Sequence, residues 1–264
     1  MLKASSSGYY AWRNRPPSAR SQRHEHLTAE IKASFEASRQ TYGAIRVWHD
    51  LREDGERVGK NTVALLMRKS GLIPRPVLRF RVTTDSRHTK AAPNVLDRNF
   101  SVSTPNRSWV TDITFIPTRE GWLYLCTVVD LYSRAVVGWS MSARMKSELV
   151  AGAMQMAIRS RQPSAGLLVH SDQGSQYGSD EYQRILKNNQ MVCSMSRRGN
   201  CWDNAVAESF FHSLKTECTH HEKYTNRAQA RQGIFEYIEL FYNRRRRHST
   251  LNYKAPLVYE EESK

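Results

Sequence analysis

Apolar positions recur along this chain in two rhythms. Over residues 27–39, 44–54 and 62–69 they fall three and four apart, which places them on one stripe of a helix. Gly55 marks a turn after the second stretch, Asn61 is placed to cap the third, and Gly71 to end it. Residues 108–116, 122–131 and 135–141 are instead rich in Val, Ile, Thr and aromatic side chains, the composition of strands. Gly121 lies in the first turn between them, Ser133 and Arg134 in the second. The helical rhythm returns over 147–161, 179–189 and 203–217, interrupted by short strands at 167–170 and 191–194. A last helix over 226–244 carries the stripe Ile234, Tyr237, Ile238 and Phe241.

Between these blocks the pattern fails. Residues 1–26 are basic and polar around Pro16-Pro17 and read as an extended or loosely ordered arm; residues 77–104 are basic and broken by Pro93, a linker. The expected organisation is therefore an arm (1–26), a small all-α helix–turn–helix domain (27–76), a linker (77–104), an α/β domain (105–220), and a C-terminal helix with a basic tail (221–264). Three hairpin-connected strands followed by alternating helix and strand predict a mixed five-stranded sheet with flanking helices. The third N-terminal helix ends on Arg68 and Lys69, which suits insertion into a DNA groove. The plainer alternative is a three-helix bundle with those charges solvated.

Charge sharpens the picture. The net charge is +15, the electrostatic footprint of a nucleic-acid binder. Residues 1–100 hold 19 Lys and Arg against 9 Asp and Glu, and the remainder 21 against 16, so the excess lies towards the N-terminus. No apolar run approaches the roughly 20 residues of a membrane span, and the start lacks the apolar core of a secretory signal. The four cysteines show no CxxC spacing and fit free thiols in a reducing cytosol.

Three acids carry the candidate chemistry. Asp112 sits inside the strand Trp109-Val110-Thr111-Asp112-Ile113-Thr114; Asp172 ends Leu167-Leu168-Val169-His170-Ser171-Asp172; Glu208 lies in the helix Asp203-Asn204-Ala205-Val206-Ala207-Glu208-Ser209-Phe210-Phe211. A carboxylate in an apolar strand is costly unless something pairs with it. Carboxylates converging from separate elements suit Mg²⁺, which keeps waters and completes its octahedron with phosphate oxygens. Asn204, Glu208, His212 and Lys215 share one helix face. Asp130 rivals Asp172 as a ligand, but its place at a strand end better suits capping the turn or pairing with Arg134.

These three strings, in this order and with 35 residues between Asp172 and Glu208, resemble the DDE transposases of bacterial insertion sequences, relatives of retroviral integrases. The resemblance runs from about Ser7 to Pro256 and is closest to the second-frame product of two-frame elements. It implies an RNase H-like integrase catalytic core. Asp112, Asp172 and Glu208 would be catalytic and would hold two Mg²⁺ ions, with Mn²⁺ as substitute. Lys215 stands seven positions after the glutamate, where the family has a basic residue near substrate phosphate. The activity implied is cleavage at transposon ends and joining of the 3′-OH to another phosphodiester by metal-dependent transesterification. The implied partners are terminal-repeat and target DNA, further copies of the chain on that DNA, and a first-frame product; the implied compartment is the bacterial cytoplasm at the nucleoid. Arg197 and Arg198 before the third acid, and Arg244, Arg245, Arg246 and Arg247, join Arg68 and Lys69 as expected DNA contacts; Trp202 is expected to pack. His24 and His26 have no nearby cysteines, so the integrase zinc domain is not expected and both read as solvated or phosphate-contacting.

Two other classes of function stay open on the residues. A structure-selective nuclease would use the same acids but only hydrolyse. A non-catalytic DNA-binding regulator would have no reason to keep three mutually repelling acids.

Overall fold

The computed structural model describes residues 5–75, 92–197 and 201–262. The chain divides into two compact units, Met1–Arg75 and Pro76–Lys264.

The first unit is helical: α1 (Ser6–Arg13), α2 (Ala19–Ala37), α3 (Ala44–Glu53) and α4 (Lys60–Lys69). The expected loose arm is in fact α1 and the first turns of α2. Two serines explain it, because Ser5 and Ser18 each accept from the amide three residues on, at Gly8 (3.1 Å) and Ser21 (3.2 Å). Pro16-Pro17 separates the two helices. α1 buries nothing, so no apolar rhythm announces it. The core is built by Leu27, Ile31 and Phe35 from α2, Val47 and Leu51 from α3, and Val63, Leu66 and Met67 from α4. α4 starts one residue before Asn61, with Gly59 at its cap, so Asn61 is an interior residue. The turn before it is pinned by Trp48, whose indole Nε1 donates to Val58 O at 2.8 Å while the Lys60 ammonium lies 4.5 Å from its ring centroid.

The second unit is built on a five-stranded sheet of β1 (Ser108–Thr118), β2 (Gly121–Asp130), β3 (Val136–Ser142), β4 (Leu168–Ser171) and β5 (Val192–Met195), in the order β3-β2-β1-β4-β5. The first three strands are antiparallel neighbours; β4 runs parallel to β1, and β5 to β4. This is the mixed sheet that the strand order predicts. α5 (Ser147–Arg161) and α6 (Asp180–Asn188) close a core with Trp109, Cys126, Val128, Val137 and Val169 from the sheet. α5 approaches β3 so closely that a Cβ on Gly138 would lie 2.3 Å from Ala153 O. Leu123, Leu125 and Val129, the alternate residues of β2, are buried too, and α7 (Ala205–Glu217) and α8 (Arg227–Phe235) pack on β1 and β2.

The expected last helix over 226–244 is α-helical only as α8, capped by Asn226 at its start, and then widens into π turns over Glu236–Tyr242. Asn243 N–H donates to Ile238 O and Arg246 N–H to Phe241 O, each five residues back. The extra residue carries Asn243 to the edge of the sheet. There its side-chain oxygen accepts from Val136 N and its amide donates to Val136 O, both at 2.9 Å, which occupies an edge position that would otherwise be open. α9 (Pro256–Glu261) ends the unit, with Glu260 bonded to Ser133 and Arg161.

Candidate active site

The register of the sheet sets two acids side by side. Val110 of β1 pairs with His170 of β4, and two residues further on stand Asp112, still in β1, and Asp172, just past the end of β4. Asp112 Oδ1 accepts from Ile113 N at 2.7 Å, and Asp172 Oδ1 from Gly174 N at 2.9 Å, so Asp172 closes its own tight turn. That turn is tied down on two sides: Gln173 Nε2 donates to Ser196 O at 3.0 Å, and the Tyr177 hydroxyl lies 3.2 Å from Thr111 Oγ1. α7 brings the third acid, Glu208, half-buried in its first turn. The start of the helix is tied to β1 by Asn204, whose Nδ2 donates to Thr111 O at 3.3 Å.

The electrostatics register the convergence. Desolvation pushes the Asp112 carboxyl well above the usual carboxylate range, and the charges of Asp172 and Glu208 push the same way, against Lys215. Desolvation raises Asp172 and Glu208 as well. Lys215 is buried with its Nζ 5.4 Å from the Phe115 ring centroid; desolvation brings it down to about 8, opposed by Asp112. Burial pushes His170, two residues before Asp172, down to about 4, so it is neutral at pH 7 and bridges the hydroxyls of Ser194 (2.8 Å) and Ser196 (3.1 Å). Three carboxyls raised by burial, one of them also by the other two, with one ammonium are a donor set of the kind that accepts divalent cations; the Asn204 Oδ1, buried at the start of α7, has no hydrogen-bond partner. Among the described residues, no group of three His, Cys, Asp or Glu is drawn together to chelating distances. The donors fit such an ion in chemistry, and the Asp112 carboxyl feels the charges of both other acids, without the three forming a closed cage.

Asp130 lies apart from this set. Its oxygens accept from Asn106 N (2.7 Å), Trp109 Nε1 (3.1 Å) and Tyr132 N (2.7 Å), so it caps the turn after β2. Arg134 donates instead to Phe100 O.

The basic residues divide. Arg68, Lys69, Arg244 and Arg245 are exposed. Arg246 is not part of that surface: it is buried against Glu217, a partner 29 residues earlier. Arg247 donates to Tyr253 O at 3.0 Å, and Arg197 is held by Asp203 and Asp97. Arg198 lies outside the described residues, and so does the Trp202 side chain. His26 Nε2 lies 2.9 Å from Glu56 Oε1, where Arg23 also bonds, so this histidine has an acidic partner. Asp203 and Glu217 escape a sequence reading because each looks like another helix acid; the only hint is an acid at either end of one short helix with arginines elsewhere to answer it.

Known proteins share this plan. The chain matches a model described as an integrase core domain over residues 102–201, a second of the same description over 189–256, and an HTH-like domain over 22–80. It is 44% identical to the insertion element IS600 uncharacterized 31 kDa protein of Shigella sonnei, over 97% of this chain and 95% of that one. It is 42% identical to transposase InsF for insertion sequence IS3A of Escherichia coli (strain K12), over 100% of this chain and 92% of the relative. Among solved structures, an intasome of simian T-cell lymphotropic virus aligns with a TM-score of 0.48 at 15% identity, covering 81% of this chain and 73% of that one. The catalytic core domain of HTLV-2 integrase in complex with magnesium aligns with a TM-score of 0.46 at 17% identity, covering 60% of this chain and 97% of that one. With near full-length relatives above 40% identity and both domain types in order, the chain belongs to the transposases of IS3-type bacterial insertion sequences.

Proposed function

We propose that this chain cleaves DNA at the ends of an insertion sequence and joins the freed 3′-OH to another phosphodiester, with Asp112, Asp172 and Glu208 as the catalytic, metal-holding acids. The observation that supports it best is that the Asp112 carboxyl on β1 feels the charges of Asp172, just past β4, and of Glu208 and Lys215 on α7. Mg²⁺ is the expected ion, with Mn²⁺ as substitute; the chemistry such ions supply is activation of an attacking oxygen and stabilisation of a leaving one, in line at phosphorus. The protein holds and orients. The tied turn after Asp172 and the Asn204 bond to β1 fix the acids relative to one another, and Lys215 meets a non-bridging phosphate oxygen. In the first step water is the nucleophile, one P–O bond breaks, and a 3′-OH and a 5′-phosphate result. In the second that 3′-OH forms a new P–O bond as another breaks, so bond number is conserved and no energy source is needed. The helical unit supplies DNA affinity through the basic end of α4, Arg68 and Lys69. Copies of the chain assemble on terminal-repeat and target DNA, and a first-frame product is the further partner.

The test uses labelled terminal-repeat DNA with Mg²⁺, scored for cleaved and joined products. Asp112→Asn, Asp172→Asn and Glu208→Gln each keep shape and lose charge, so each should abolish both products while DNA binding stays near the wild-type level. A variant with near-normal cleavage removes that residue from the set. Cleavage without joining by the wild type would favour the nuclease.

A further inference from the structure

Asp203 takes no part in the chemistry above, yet it is the most heavily bonded carboxylate near it. It has no exposed surface. A buried carboxylate survives only where donors replace its water, and here they come from Arg197, six residues before it, and from the distant stretch of Asn94 and Arg98. Oδ2 accepts from Asn94 Nδ2 (3.0 Å), Arg197 N (3.0 Å) and Arg197 Nε (3.2 Å); Oδ1 accepts from Arg98 Nε (2.8 Å) and Arg197 Nη2 (3.4 Å). Desolvation alone would raise this carboxyl, but the two arginines hold it down at about 2. Capping does not explain the investment, because α7 has no side-chain bond at its N-terminus.

Its neighbours do. Asn204 bonds Thr111 O, next to Asp112; His170, two residues before Asp172, feels the Asp203 charge; Glu208 follows in the first turn of α7. Asn94 and Arg98 stand in the described stretch that begins at residue 92, early in the α/β unit. We propose that Asp203 is a positioning residue for Glu208: it fastens the stretch 94–98 and Arg197 to the start of α7, and so sets where the third acid stands relative to Asp112 and Asp172. The proposal rests on the reading of these acids as metal-holding.

Asp203→Asn tests it, since the amide places a donor where Asn94 and Arg197 already donate. DNA binding should stay close to wild type. The Mg²⁺ and Mn²⁺ concentrations for half-maximal cleavage should rise by about tenfold or more, the scale seen when a group that orients metal ligands is lost. In the metal-free protein, hydrogen exchange at the amides of residues 205–211 should accelerate while that of β2 stays slow. Gly138→Ala, which strains the opposite layer, is the control for stability alone: it should lower the melting temperature without moving the metal midpoint. If Asp203→Asn only lowers the melting temperature, leaving midpoint and exchange at 205–211 as in the wild type, Asp203 is structural glue and the proposal is wrong. Should that variant fail to fold, Arg98→Ala must raise the midpoint in the same direction and Arg98→Lys restore part of it; an unmoved midpoint overturns the proposal equally. If the wild type cleaves nothing, the transposase reading fails, and the metal-free exchange decides on Asp203 by itself.

Discussion

Glu217 and Arg246 expose only 8% and 6% of their side chains and hold each other through bonds of 2.6 and 2.7 Å, with the Tyr237 hydroxyl donating to the same carboxylate at 2.8 Å. Removing one partner strands a buried charge, which costs roughly 3–5 kcal/mol, whereas replacing both by apolar groups can be neutral. Arg246→Met should therefore lower stability by about that amount in urea melts, and Glu217→Leu with Arg246→Met should recover most of it. Arg244→Ala, two residues away and exposed, should move stability by no more than about 0.5 kcal/mol and instead flatten the dependence of DNA affinity on salt. Four identical arginines in a row give no sequence signal for which one turns inward. The choice is made by the π turns before them and by an acid 29 residues upstream. The elements that carry Asp112 and Glu208, and the strand that Asp172 follows, were legible because each acid sits in its own string. How the start of α7 is held was not, because Asp203 and Asn204 bond to Asn94, Arg98, Arg197 and Thr111, which no local string reveals.

At the scale of elements, the close approach of α5 to β3 has a measurable cost attached. A methyl on Gly138 would meet Ala153 O at 2.3 Å and Ala157 Cβ at 2.7 Å, in a helix and a strand with no room to part. Gly138→Ala should destabilise the α/β unit by about 1–3 kcal/mol, the usual range for overpacking, read as a lower denaturant midpoint with an unchanged slope. The strands and α5 could be read from sequence because side-chain alternation and helical spacing are strong over their lengths; α5 spans the expected 147–161. α1 could not, since it buries no residue and rests on a serine cap. The widening of the last helix was equally hidden: its apolar stripe, Ile234, Tyr237, Ile238 and Phe241, looks continuous, and the inserted residue shows only in the five-residue bonds.

For the whole molecule, charge and structure divide the labour. The helical unit ends at Arg75 and carries its own core, so a chain of residues 76–264 should fold, keep the three acids and bind DNA more weakly. Its log affinity should fall less steeply with log salt, by about 0.9 for each phosphate that the helical unit would have neutralised; an unchanged slope would place the DNA footprint in the α/β unit. That unit reaches far along the chain to complete itself, since Glu260 bonds Ser133, 127 residues earlier. The same holds for the buried pair of Glu217 and Arg246, and it matters while the protein is being made. At about 5–20 residues per second, the 29 residues that separate the two take about 1.5–6 s to synthesise. Through that interval the ribosome carries a chain whose glutamate has no arginine to answer it. The helix that carries Glu208 thus owes its buried ion pair to a stretch of chain made after it.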